Sequence, residues 1–137
     1  MAIWRIRDLA ELLSTPPVVG ESTELTFEVS EEMLTRHVPG APGVLSTPAM
    51  IGLMETTASA ILRPRLLRGA ATVGTWIGVR HRAPAVLGDQ VRVRAELARI
   101  TGAHVTFTVV ARVDGRTIGD GEVTQTVVRT DACTDAS

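Results

Sequence analysis

The 137-residue chain has no lysine and no tyrosine, and only two phenylalanines, two tryptophans and one cysteine. Each scarcity excludes something. Cys133, alone in the polar stretch from Thr130 to Ser137, cannot build a disulfide framework, and points to a reducing, cytoplasmic setting. No apolar run approaches the roughly 20 residues of a membrane-spanning helix, and Met1 to Asp8 lacks the continuous apolar core of a signal peptide. Net charge is -1, so the chain carries no excess positive charge to attract nucleic acid. All fourteen basic residues are arginine, from which no mechanism follows. No metal-ligand spacing, dinucleotide glycine motif or phosphate-cradling loop is present, so neither a metal nor a bound cofactor is expected. With Phe27 and Phe107 as the only phenylalanines, a pocket here is lined by Leu, Val, Ile and Met, with Trp76 as its candidate aromatic.

What is abundant is apolar: 45% of residues are hydrophobic, enough for one globular domain with a sizeable core. Ile6, Leu9, Leu12 and Leu13 mark a short amphipathic helix in a segment 1–17, closed by Pro16-Pro17. Leu25, Phe27 and Val29 alternate with polar residues as a first strand. Residues 30–37 read as a helical turn, and Pro39-Gly40-Ala41-Pro42-Gly43 as a loop. A long helix starts near Thr47, with Pro48 in its first turn, and ends or kinks at Pro64. It is apolar around much of its circumference, which marks a buried helix. Strands follow at 72–81, with Val73, Ile77 and Val79 on one face, then at 90–97, 104–113 and 116–129. Asp114-Gly115 is a hairpin turn, and the last strand changes parity around Gly119-Asp120-Gly121, as at a bulge. Four consecutive strands after one buried helix predict an α+β domain over 18–130. Its five-stranded antiparallel curved sheet wraps a single long helix, the hotdog fold, and 131–137 forms a flexible tail. A single layer with an open edge favours a homodimer, or a higher oligomer, built on a continuous ten-stranded sheet.

Within the helix stands one carboxylate. Glu55 follows the unbroken apolar run Ala49 to Met54, and a charge placed there must be paired, hydrogen-bonded or kept for chemistry. Thr47 precedes the run and His81 ends the next strand. A hydroxyl, a carboxylate and an imidazole suffice for acyl transfer. Simpler readings stand beside this one: Thr47 as the helix N-cap, Glu55 as a structural acid bonded to backbone or arginine, His81 as a strand-end surface histidine, and Ser46 as the nucleophile in place of Thr47. His37 and His104 read as structural or solvated.

The run Val44-Leu45-Ser46-Thr47-Pro48-Ala49-Met50-Ile51-Gly52-Leu53-Met54-Glu55, followed by Val73-Gly74-Thr75-Trp76-Ile77-Gly78-Val79-Arg80-His81, resembles the fluoroacetyl-CoA thioesterase family of hotdog enzymes. Val19-Gly20-Glu21, ahead of the first strand, fits as well, and the resemblance spans roughly residues 18 to 130. It implies a catalytic set of Thr47, Glu55 and His81, and backbone contact of Gly74 with substrate. One departure limits it. The family's fluoroacetyl-specific member carries phenylalanines in the loop before the threonine, whereas here residues 38–44 are a shorter loop without an aromatic.

The implied activity is hydrolysis of an acyl-CoA or acyl-carrier-protein thioester. Thr47 attacks or orients water, His81 shuttles the proton, and Glu55 orients the imidazole or acts as base on water. The amides of Ala49 and Met50, at the helix N-terminus, are expected oxyanion donors. A CoA phosphate would use Arg63, Arg65 and Arg68, or Arg80 and Arg82. Thr47 and Glu55, eight residues apart on one helix, are separated by about 12 Å of rise and about 80° of rotation. They cannot touch, so the site should be assembled at a dimer interface. The alternatives are a hotdog hydratase or dehydratase, against which Asp89 stands after rather than before His81, and a non-catalytic acyl-CoA binding module.

Overall fold

The structure is a computed structural model that describes residues 9–37 and 39–130. Ile6 to Asp8 of the first helical pattern, Val38 of the loop, and the 131–137 tail lie outside the described residues. Helix α1 is Leu9–Leu12. Strand β1 is Ser22–Glu28, and a short hairpin pairs β2 (Leu34–Thr35) with β3 (Val44–Leu45). The helical turn expected over 30–37 is shorter, a 3-10 turn at Glu31–Met33. Helix α2 is Thr47–Leu62, and Pro64 follows it within a 3-10 turn at Arg63–Arg65. Strands β4 (Ala70–His81), β5 (Gln90–Thr101), β6 (His104–Val113) and β7 (Arg116–Arg129) complete the chain.

The five long strands form one antiparallel sheet in the order β1-β5-β6-β7-β4. This is the hotdog arrangement. It differs in one respect from four consecutive hairpins: β4 crosses to the far edge beside β7, while β5 pairs with β1. The core lies between the sheet and α2. Met50, Leu53, Met54, Ala58, Ile61 and Leu62 of the helix bury against Val91, Val93, Val105, Phe107, Val109 and Val123. Leu9, Leu12 and Leu13 join the same core, and Leu13 bridges to Leu66, so the N-terminal segment is packed onto the domain.

Two irregularities set the faces. In β7, Ala111 pairs with Gly119 and Arg112 with Thr117, leaving Ile118 as the extra residue beside the expected parity change. In β4, Gly74 pairs with Gln125 and Trp76 with Thr124, so Thr75 is extra. Side chains alternate faces along a strand and paired residues share a face. The inserted Thr75 therefore puts Val73 opposite Ile77 and Val79 rather than beside them. It also brings Gly74 and His81, seven residues apart, to the same helix-facing side.

The sheet's two edges differ. β1 is short and carries Glu24 and Glu28 outward. The other edge is β4, 12 residues long, where Trp76 is 53% and Ile77 42% exposed. Helix α2 likewise has one uncovered side, at Gly52, Glu55 and Thr56.

Candidate active site

The helix N-terminus is built by Ser46. Its hydroxyl accepts a hydrogen bond from the Ala49 amide at 3.1 Å, and its carbonyl accepts from the Met50 amide at 3.0 Å. Ser46, not Thr47, is thus the N-cap, and it is occupied in that role rather than available as a nucleophile. Both amides expected to bind an oxyanion are likewise engaged. Met50 does not line a substrate pocket either: its side chain is fully buried against Gly119, where a Cβ would collide with its thioether sulfur. That close approach seats the first turn of α2 on the sheet. Gly119 pairs with His81, so the first turn lies over the end of β4.

Freed from capping, the Thr47 hydroxyl meets His81 Nδ1 at 2.8 Å within the same protomer. Thr47 is exposed and His81 half-buried. The other ring nitrogen, Nε2, is enclosed by the protomer and has no hydrogen-bond partner among the described residues. An acid orienting the imidazole would have to sit at Nε2, and Glu55 is not there. The arrangement therefore favours Glu55 as a base on water over Glu55 as the third member of a relay.

Glu55 lies elsewhere. Its carboxylate occupies the space above Gly74, where a Cβ would overlap Oε2. A side chain at 74 would displace the carboxylate from that seat. Glu55 forms no ion pair or hydrogen bond with the described residues, so the reading of a structural acid held by arginine or backbone does not apply. An open cleft of about 280 Å³ runs past it, lined by Gly52, Thr56, Ser59, Arg63, Thr72 and Gln125. The protomer thus brings Thr47 and His81 together, and Glu55 and Gly74 together, but keeps the two pairs apart. Along β4 the separation from Gly74 to His81 is about 20 Å.

Trp76 is not in either half. Its parity places it on the outer face, stacked over Gly78, away from the helix. Among the arginines, Arg65 holds Glu21 through both carboxylate oxygens at 2.8 and 2.7 Å, and this pairing holds the Glu21 carboxyl below its ordinary value. Arg82 holds Asp120 at 2.9 Å through both oxygens. Arg63, at the rim of the Glu55 cleft, has no carboxylate partner among the described residues. Asp89 closes a turn by accepting from the Val86 amide at 2.9 Å and does not approach His81 as the acid of a dehydratase would. Among the described residues no cluster of three or more His, Cys, Asp or Glu could hold a metal, and no helix is long and apolar enough to cross a membrane.

One site residue escaped the sequence reading. Gln125 stands on the helix-facing side of β7 between Val123 and Val127, 3% exposed, and borders the Glu55 cleft. A lone amide interrupting an apolar strand face was the available signal, of the same kind as Glu55 in its helix.

Comparison with known proteins supplies the family. The family profile for fluoroacetyl-CoA-specific thioesterases matches residues 29–131. The fluoroacetyl-CoA thioesterase of Streptantibioticus cattleyicolor is 32% identical over 117 residues, covering 80% of this chain and 84% of that protein. A crystal structure of a variant fluoroacetyl-CoA-specific thioesterase in complex with fluoroacetate and CoA superposes with a TM-score of 0.77 at 32% identity, covering 83% of this chain and 97% of that one. A 3-hydroxyacyl-[acyl-carrier-protein] dehydratase of Anaeromyxobacter dehalogenans is 34% identical over 98 residues, 69% of this chain and 63% of that protein. Within the protomer it is the Thr47 hydroxyl, and not an acid, that is bonded to His81. The chain belongs to the fluoroacetyl-CoA-specific thioesterase family of hotdog enzymes and is a thioesterase.

Proposed function

We propose that the protein hydrolyses a short acyl-CoA thioester at sites shared between two protomers, Thr47 and His81 coming from one and Glu55 and Gly74 from the other. The observation that carries this is the split itself: one protomer holds a bonded hydroxyl–imidazole pair and, about 20 Å along the same strand, an unpartnered carboxylate. The apolar β4 edge supplies the means of joining them. An antiparallel two-fold pairing of β4 centred on Gly78, with Thr75 left as the extra residue, sets Gly74 opposite the partner's His81, both facing inward, and continues the sheet to ten strands.

In this reading Thr47 gives its proton to His81 Nδ1 as its oxygen bonds to the acyl carbon. The carbon–sulfur bond breaks, and His81 returns the proton to the departing thiolate. Glu55 then takes a proton from water as the water oxygen bonds to the acyl carbon. The bond to Thr47 breaks, and the threonine oxygen regains a proton drawn from solvent through His81, while the proton on Glu55 passes to solvent. The enzyme acts in the cytoplasm without a bound cofactor. The loop before Thr47 lacks aromatics, so fluoroacetyl selectivity is not part of the proposal. Arg63, free of a carboxylate partner and at the rim of the cleft, is the arginine best placed for an anionic part of CoA.

The test is complementation. Thr47→Ala and Glu55→Gln are each inactive by thiol release from a panel of acyl-CoAs. Mixed, unfolded and refolded together, they regain about a quarter of the wild-type activity, because each heterodimer rebuilds one intact site. No recovery in verified heterodimers would show that the groups do not act across an interface. A single elution volume matching one chain would remove the dimer.

A further inference from the structure

The Gln125 carboxamide is fixed from one side. The Thr72 hydroxyl donates to its Oε1 at 2.9 Å, and its Nε2 forms no hydrogen bond with a described residue. Nε2 stands 3.6 Å from the position a Cβ on Gly74 would take, the same position the Glu55 carboxylate covers. Turning the amide over would lay its carbonyl oxygen toward that carboxylate, so the Thr72 bond and the neighbouring charge select one orientation. A donor and a charged acceptor thus converge above Gly74 without bonding each other. The group that satisfies both is one that donates and accepts at a single oxygen.

We propose that Gln125 is a catalytic residue that holds the hydrolytic water on Glu55, with Thr72 as its positioning residue. The water donates one hydrogen to the Glu55 carboxylate and accepts one from Gln125 Nε2–H. Its remaining lone pair is then aimed at the acyl carbon. This rests on the Thr47 acyl-enzyme reading above and adds to it the residue that orients the second half-reaction. An oxyanion would be a poorer occupant of the same place, because Glu55 is already negative there.

The experiment uses full-length Gln125→Met, Thr72→Val and Thr72→Ser, assayed with saturating acyl-CoA for thiol release on the millisecond scale and by intact-mass spectrometry. Gln125→Met should release a burst of about one thiol per site and then turn over roughly 10-fold to 100-fold more slowly, with the acyl group retained on the protein. Thr72→Val should show a smaller effect of the same kind, and Thr72→Ser, which keeps the hydroxyl, should restore wild-type turnover. Should Gln125→Met misfold, the Thr72 pair decides alone. A steady-state rate within twofold of wild type in Gln125→Met, or burst and turnover lost together, overturns the assignment. Failure of the underlying reading is separate: Glu55→Gln would then accumulate no acylated Thr47.

Discussion

The two ends of the site show two ways of handling a polar group beside an apolar core. At the Thr47 end every polar group but the enclosed His81 Nε2 has a task. Ser46 caps the helix, its carbonyl and hydroxyl engage the next free amides, and Thr47 is left to bond His81. At the Glu55 end the protomer supplies a carboxylate and an amide nitrogen without closing the circuit between them, and removes the side chain at position 74 so that the carboxylate can lie there. The first end is complete within one chain. The second is stable only because it opens onto a cleft, where water can solvate the charge. A buried acid left without a partner in a closed core would be far more costly, so the openness and the chemistry have the same cause.

The largest expected effect breaks the finished end. Thr47→Ala or His81→Ala should lower kcat by about 10³-fold or more, with little change in Tm because Thr47 is exposed, as measured by thiol release and calorimetry. Next is the unfinished end. Gly74→Ala puts a methyl where the Glu55 carboxylate lies, and should cost about 10²-fold in kcat while the fold survives. Equal activity in Gly74→Ala would mean that the carboxylate does not need that seat. Ile77→Lys, at the exposed centre of β4, should shift sedimentation toward a single chain and lower activity in proportion, if the two ends meet across this edge.

Smaller effects separate scaffold from chemistry. Ser46→Ala removes a cap and should lower stability by about 1 kcal/mol in denaturant titration, with activity falling only modestly. Smallest is the Glu21–Arg65 pair, neither of which lines the Glu55 cleft. Because Glu21 titrates below its ordinary value of 4.5 when folded, the pair's contribution is present above that value and disappears as pH falls through the lower folded one. Wild type and Glu21→Gln should therefore differ slightly in Tm at pH 7 and converge in acid.

Much of this architecture was legible in the sequence, and the parts that were not have identifiable reasons. Glu55 could be singled out because a charge in an apolar helix is visible in one dimension, and the separation of Thr47 from Glu55 follows from helix geometry alone. The strands were legible through their alternation, but their order was not. β4 pairs with β7 rather than β5 because a helix-covered sheet places its neighbours in three dimensions, which periodicity does not encode. The assignment of Ala49 and Met50 as oxyanion donors failed by one residue: with Ser46 and Thr47 adjacent, either could cap, and the choice decides which amides remain free. Val73 was placed on the wrong face because of the extra Thr75, which no local pattern announces, whereas Trp76 was named for the pocket as an available aromatic although alternation with Ile77 and Val79 already turns it outward.

The extra Thr75 shows that the site constrains how the strand pairs more than how long it is. Removing it would leave Gly74 beside Gln125 and Trp76 beside Thr124 in an unbroken ladder, with Gly74 and His81 still on the helix-facing side. Length and bulge therefore vary together in this strand. Among related sequences, an interval of seven between the glycine and the histidine should mark chains that carry the bulge, and an interval of six should mark chains that keep both halves of the site on one surface without it.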